Sequence, residues 1–298
     1  MTKTRGALPS LSFEFFPPHS PEASLRLWRS VERLAPLGPR FVSVTYGAGG
    51  TTRDRTVAAI ATIAERARLN VAGHLTCVGA SRDATLEVAR SYARLGVRRI
   101  VALRGDPPKG AARFTPHPDG FASAAELVAA LRSVADFEIS VAAYPEKHPE
   151  AASLAADLDN LKRKIDAGAA NAITQFCFET EDFLRFRDAC AAAGIAAPII
   201  PGVLPVENFA KMANFARRCQ AAVPDWMTKA FARAETEADA YLLSVSIACE
   251  QCDTLAVEGA EHLHVYTLNN PDLTFDVCRA LGYEAAPLAA AMGGRALA

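Results

Sequence analysis

Eight short apolar runs alternate along the chain with longer segments of helical period, and the runs are apolar on both faces. Strict alternation with doubly buried strands predicts an α/β protein built on a parallel sheet. Eight such units within 298 residues predict that the sheet closes on itself as a single (βα)8 barrel of the TIM type. The alternative is an open doubly wound sheet. No glycine-rich dinucleotide fingerprint follows the first run, where Phe15-Phe16-Pro17-Pro18 stands instead, and the closed form is preferred.

The expected strands are residues 11–16, 41–46, 71–78, 99–104, 138–144, 172–178, 199–204 and 262–268. Helical periodicity covers 21–37, 52–68, 84–95, 124–134, 154–167, 181–193, 206–219 and 273–281. Gly38, Gly96, Gly168, Gly194 and Gly282 stand where a left-handed C-terminal cap is wanted. The stretch 223–260 is too long for one connection and is expected to add one or two helices before the last strand. No repeat or linker divides the chain. One barrel domain is expected over 1–298, with the barrel itself at about 10–283 and an Ala-rich tail from about 284 to 298.

Half of the residues are hydrophobic, enough to bury a large core. A formal charge of -1 and a pI near 6.6 leave no electrostatic footprint for nucleic acid. No apolar run approaches a membrane span, and no signal-peptide core follows the first residues, so a cytoplasmic protein is expected. Seven cysteines, an odd number spread over strand and helix patterns, fit free thiols. Cys249-x-x-Cys252 lies in a helical pattern with no second pair at zinc spacing, which favours packing over metal binding. His262-x-His264 points both rings to one strand face, again with no third ligand, and no metal is expected.

Glu14 stands alone in the apolar run Leu11-Ser12-Phe13-Glu14-Phe15-Phe16. An ionised carboxylate in a buried strand costs several kcal/mol unless it is paired or protonated. A buried carboxyl kept neutral near pH 7 is what a general acid requires. An edge-strand glutamate facing water is the plain alternative. The other strand ends are polar too: Thr45-Tyr46-Gly47, His74-Leu75-Thr76, Arg104-Gly105-Asp106, Tyr144 to His148, Gln175, and Tyr266 to Asn269. In a parallel barrel these carboxyl ends share one face, and together they form a lined pocket for a small molecule. Singly, His74 reads as a core histidine and Gln175 as a tie between strands. The glycines of 47–52 are weak evidence for a phosphate cradle.

These residues, in this order, resemble the bacterial methylenetetrahydrofolate reductase family. The matching pieces are FEFFPP at 13–18, VTYGAGG at 44–50, RDRT at 53–56, HLTC at 74–77, ALRGD at 102–106 and AAYPEKHPEA at 142–151. LKRKIDAGAANAITQFCF at 161–178, PGVLPV at 201–206 and HVYTLN at 264–269 complete the set. The resemblance implies a barrel that binds FAD noncovalently at its carboxyl face. It implies reduction of 5,10-methylenetetrahydrofolate to 5-methyltetrahydrofolate with electrons from NADH or NADPH, in ping-pong order. Methionine biosynthesis and one-carbon metabolism are the implied setting.

Carried over residue by residue, Glu14 is the acid that assists opening of the folate's five-membered ring, and Asp106 lies beside flavin and pterin. Thr45, Tyr46, Ala48, His74, Arg104, Gly105, Ala122, Tyr144, His148, Ala151, Asp157, Asn160, Arg163 and Lys164 match flavin-contacting positions. Gln175 matches a position that touches folate and nicotinamide in turn, and Phe215 an aromatic on which the ligand stacks. At Lys211 the family often has glutamine, and at Asn270 often arginine; both are expected near the outer parts of the substrate. Rival readings are another flavin-dependent barrel oxidoreductase of the proline dehydrogenase kind, and a folate-binding barrel without redox function. The sequence does not set the assembly state, and a homo-oligomer is compatible with it.

Overall fold

The computed structural model describes residues 7–46, 53–107, 110 and 113–287. Eight parallel strands pair in chain order, and β8 pairs back with β1, so the sheet is a closed barrel. The strands are β1 (Ser10–Phe15), β2 (Phe41–Val44), β3 (Val71–Thr76), β4 (Arg99–Leu103), β5 (Glu138–Ala143), β6 (Asn171–Phe176), β7 (Ile199–Val203) and β8 (His262–Tyr266). After β1 to β6 come α1 (Pro21–Leu34), α2 (Arg53–Thr62), α3 (Arg82–Arg94), α4 (Ala124–Leu131), α5 (Leu154–Asp166) and α6 (Thr180–Ala192). Three helices separate β7 from β8: α7 (Phe209–Cys219), α8 (Asp225–Phe231) and α9 (Glu237–Val257). The last helix is α10 (Pro271–Ala280). The two helices beyond α7 are the addition expected from the length of 223–260.

The strands alternate their side chains between two cores, as a period of two requires. The outward set, including Leu11, Phe13, Phe15, Val42, Val44, Leu75, Ile100, Val141 and Leu263, packs with the helices in one large cluster. The inward apolar set is small: Phe41, Ala72, Val101, Ile173 and Ile200, with Leu103 beside them. Polar residues fill the rest of the interior, and Ser12, Ser43, His74 and His264 are all buried there.

Serines and a threonine open the helices. Ser20, Ser81, Ser123, Ser153 and Thr236 each accept from a backbone N–H in the first turn of α1, α3, α4, α5 and α9. Each such cap is worth about 1 kcal/mol. No helix among the described residues is long and apolar enough to cross a membrane.

Candidate active site

Closure of the barrel decides the environment of Glu14. The described strands leave no edge in the sheet, and the Glu14 side chain points into the barrel mouth and is only 15% exposed. His74 on β3 brings its Nε2 to 3.3 Å from Glu14 Oε2, without the alignment of a hydrogen bond. His264 on β8 brings its Nε2 to 3.5 Å from the same oxygen. The backbone is held as firmly: the Thr267 hydroxyl donates to the Glu14 carbonyl at 2.7 Å. The Asn269 amide clasps Phe16, accepting from its N–H at 2.9 Å and donating to its carbonyl at 3.0 Å. From α3, the Tyr92 hydroxyl donates to the His74 carbonyl at 3.0 Å.

This setting corrects the expectation of a carboxyl held neutral by burial. Burial does push the Glu14 pKa up, but the two imidazoles outweigh it and bring the value down to about 2. The resting carboxyl is therefore ionised.

Beside Glu14 on β8, Tyr266 donates to the Thr174 carbonyl at 2.7 Å, and the Thr174 hydroxyl accepts from Gly202 N–H at 2.9 Å. These bonds span the irregular register between β6 and β7. They leave no room at residue 202, where a Cβ would fall 2.2 Å from the Thr174 carbonyl and 2.5 Å from the Tyr266 ring. Gly202→Ala is expected to cost about 3 kcal/mol through overpacking. A melting temperature lowered by roughly 5 °C checks this in calorimetry. Phe176 then stacks on Phe215 of α7 at 5.5 Å, making an aromatic wall above the mouth.

A cavity of about 560 Å³ opens at the carboxyl ends of β2 to β5. Its wall contains Tyr46, Arg104, Gly105, Asp106, Ala122, Tyr144, His148, Ala151, Asp157, Asn160 and Lys164. Asp157, Asn160 and Lys164 recur along α5 at helical spacing, which presents them on one face. Arg163 is one position off that stripe and is exposed. Lys164 is buried, and its ammonium donates to the Ala142 carbonyl at 2.6 Å. Burial draws its pKa down to about 8, with Asp157 opposing that shift and Arg104 adding to it. Asp157 also accepts from the His148 N–H at 2.7 Å, and His148 packs edge-on against Tyr144 at 4.6 Å. Arg104 reaches Glu150 at 2.6 Å. Gly105, at φ +88, has the Val78 and Thr76 side chains where a Cβ would stand.

Thr45 and His74 lie outside that wall: Thr45 accepts the Thr56 hydroxyl through its carbonyl, and His74 serves the Glu14 cluster. Ala48 and the glycine-rich stretch around it are outside the described residues. Gln175 is half-buried and turns its amide oxygen to the Phe176 N–H at 3.2 Å. Lys211 is exposed in the first turn of α7, and Asn270 stands at the start of α10. Two residues gain a place that the sequence did not assign them: Ser12 and His264. Thr76, expected at the polar end of β3, is the last residue of that strand. Its hydroxyl is buried, has no partner and belongs to a residue of the cavity wall.

A carboxylate close to two imidazoles, next to a cavity rich in donors, thus stands on the carboxyl face of an α/β barrel, the face on which enzymes of this fold carry their active sites. The family model described as Methylenetetrahydrofolate reductase matches residues 3–282. The chain is 49% identical over 274 residues to 5,10-methylenetetrahydrofolate reductase of Salmonella typhimurium, covering 92% of this chain and 90% of that one. Against the Escherichia coli enzyme of the same name the identity is 48%, with the same coverage. This chain belongs to the methylenetetrahydrofolate reductase family. A Clostridium thermocellum protein described as binding two copies of 5-methyl-5,6,7,8-tetrahydrofolic acid shares the fold, with a TM-score of 0.62 at 16% identity. That match covers 93% of this chain and 94% of the other.

Proposed function

We propose that the chain reduces 5,10-methylenetetrahydrofolate to 5-methyltetrahydrofolate, with NADH or NADPH as donor and FAD as carrier. The observation that carries this reading is the Glu14 carboxylate, 3.3 and 3.5 Å from two imidazoles at the mouth of the barrel. The cavity residues fit the flavin. A buried Lys164, Arg104 and His148 suit an anionic pyrophosphate, and Asn160 and the unpartnered Thr76 hydroxyl suit polar groups of the ribityl chain and ring. Bound there, FAD would accept a hydride from the nicotinamide and pass it to the folate, each substrate using the same face in turn.

The chain's own work is positioning and proton delivery. Opening the folate's five-membered ring breaks a carbon–nitrogen bond and leaves an amine that needs a proton. Glu14, loaded through its imidazole neighbours, delivers that proton as general acid. Asp106 is on the cavity wall and would lie beside flavin and pterin, and Phe215 and Gln175 would offer a stacking face and an amide to whichever substrate is bound. Lys211 and Asn270 would meet the anionic outer part of the ligand. The cytoplasm is the compartment in which these soluble substrates would be met.

The test is direct. Purified protein should be yellow, should bleach with NADH or NADPH, and should regain its colour with methylenetetrahydrofolate. A colourless protein that takes up no FAD overturns the reading, and colour returning with proline-derived substrates instead would favour the rival oxidoreductase. Lys164→Met keeps the stem and removes the charge, so it should weaken FAD binding at least tenfold. Removing one partner of a buried charged contact costs about 2 kcal/mol or more. Flavin fluorescence titration of the apoprotein measures the effect, and an unchanged melting temperature of the apoprotein separates it from misfolding.

A further inference from the structure

Ser10, Ser12 and Glu14 share the inner face of β1, and β8 sets His262, His264 and Tyr266 in register opposite them. The Ser10 hydroxyl lies 2.6 Å from His262 Nδ1. The Ser12 hydroxyl lies 2.8 Å from His262 Nε2 and 2.6 Å from His264 Nδ1. His264 Nε2 faces Glu14 Oε2 at 3.5 Å. Both nitrogens of both rings are thus engaged along one unbroken row. At its far end Ser10 and His262 line a cavity of about 750 Å³ at the amino end of the barrel, with Arg40, Arg99, Glu138, Arg187 and Glu261 around it.

We propose that Ser10, His262, Ser12 and His264 form a proton relay that loads Glu14 from water at the amino end of the barrel, opposite the ligand face. The proposal rests on the reading of Glu14 as the proton donor to folate. Hydride and proton are both added in that reaction, so each turnover consumes one proton. In each turnover His264 Nε2–H passes its proton to the ionised Glu14 carboxylate, and that new O–H bond breaks as the amine N–H bond forms, leaving the carboxylate charged as it began. The Ser12 hydroxyl reprotonates His264 Nδ1, and His262 Nε2–H reprotonates Ser12. The Ser10 hydroxyl restores His262 at Nδ1 and is itself restored by water. One proton enters, one reaches the amine, and no electrons move. Rotation of the hydroxyls and return of the rings to their first tautomer reset the row.

The chemistry of each member suits the task, because hydroxyl and neutral imidazole each donate and accept at once. A bound flavin and folate would cover the carboxyl face and shut water away from Glu14 on that side. His262 is surrounded for passing a proton rather than storing one. It stacks on Phe41 of β2 at 5.7 Å, and burial, then His264, Arg40 and Arg99, bring its pKa down to about 3. His264 faces Glu14, packs edge-on against Tyr266 at 5.2 Å and lies across Phe41 at 6.0 Å; His74 is on the other side of the carboxylate.

His262→Phe, His262→Gln and His262→Ala test the relay in the full-length holoprotein. In stopped flow, all three should slow reoxidation of the reduced flavin by methylenetetrahydrofolate at least tenfold, while its reduction by nicotinamide stays within twofold. Added imidazole should restore the rate of the Ala variant, whose cavity admits it, and not that of the Phe variant. Gln keeps one donor and one acceptor toward Ser12 but does not exchange them. A wild-type rate in the Gln variant alone would therefore assign His262 a positioning role and overturn the relay. Wild-type rates in all three variants would overturn it too. A wild-type protein inactive with folate would instead sink the functional reading on which it stands. Nitrogen-15 histidine spectra give a readout independent of turnover: at pH 7, His262 should be neutral and protonated at Nε2. A charged ring, or one protonated at Nδ1, breaks the chain at its second member.

Discussion

Glu14→Gln is expected to slow reduction of methylenetetrahydrofolate by roughly 10²–10⁴-fold, the range of a lost general acid. Reduction of the bound flavin by NADH or NADPH should stay within a few-fold of the parent. The two halves separate because only one of them needs a proton from the protein. The amide occupies the carboxyl's space and can still meet the imidazoles 3.3 and 3.5 Å away, so the mouth of the barrel should hold its shape. What it cannot do is receive a proton from His264 and release it to the leaving amine. Stopped-flow measurement of each half-reaction alone decides the matter. Equal loss in both would show that Glu14 supports the flavin or the fold rather than the proton transfer.

Much of this architecture is written locally in the chain. All five glycines expected to cap helices, Gly38, Gly96, Gly168, Gly194 and Gly282, adopt positive φ. The eight strands lie where the apolar runs lie, yet all eight end one or two residues earlier than the runs suggest. Tyr46, Arg104 and Tyr144 have strand-like neighbours, but their backbones have left the ladder and their side chains turn to the cavity. A strand that feeds a site must release its last residues to do so.

The parts of the site that stayed hidden depend on pairing across the whole chain. His262-x-His264 reads only as two rings on one strand face until closure places β8 against β1 and supplies Ser10, Ser12 and Glu14 as partners. The alternation in Ser10-x-Ser12-x-Glu14 was visible, but its meaning lay about 250 residues away. The charge state of Glu14 was hidden for the same reason. Burial can be read from an apolar run, whereas the two imidazoles that reverse its effect come from β3 and β8.

That reversal has a measurable consequence for stability. Glu14 has a folded-state pKa of about 2 against an ordinary 4.5, so the folded protein binds its proton less readily than the unfolded chain does. A depressed carboxyl pKa stabilises the fold above the unfolded value, and the contribution is lost as pH falls through the folded one. The window therefore runs from about pH 5 down to about pH 2. The full contribution is of order 3 kcal/mol, and about 2 kcal/mol of it should be gone by pH 3. Glutamine does not titrate, so Glu14→Gln should abolish this share of the acid sensitivity. In urea titrations at pH 5.5 and pH 3, the parent should lose about 2 kcal/mol more than the variant. Parallel losses would mean that Glu14 binds protons alike in both states and that the imidazoles do not hold its charge. A larger loss in the variant would reverse the sign and return Glu14 to the neutral, burial-dominated carboxyl that the apolar run alone suggests.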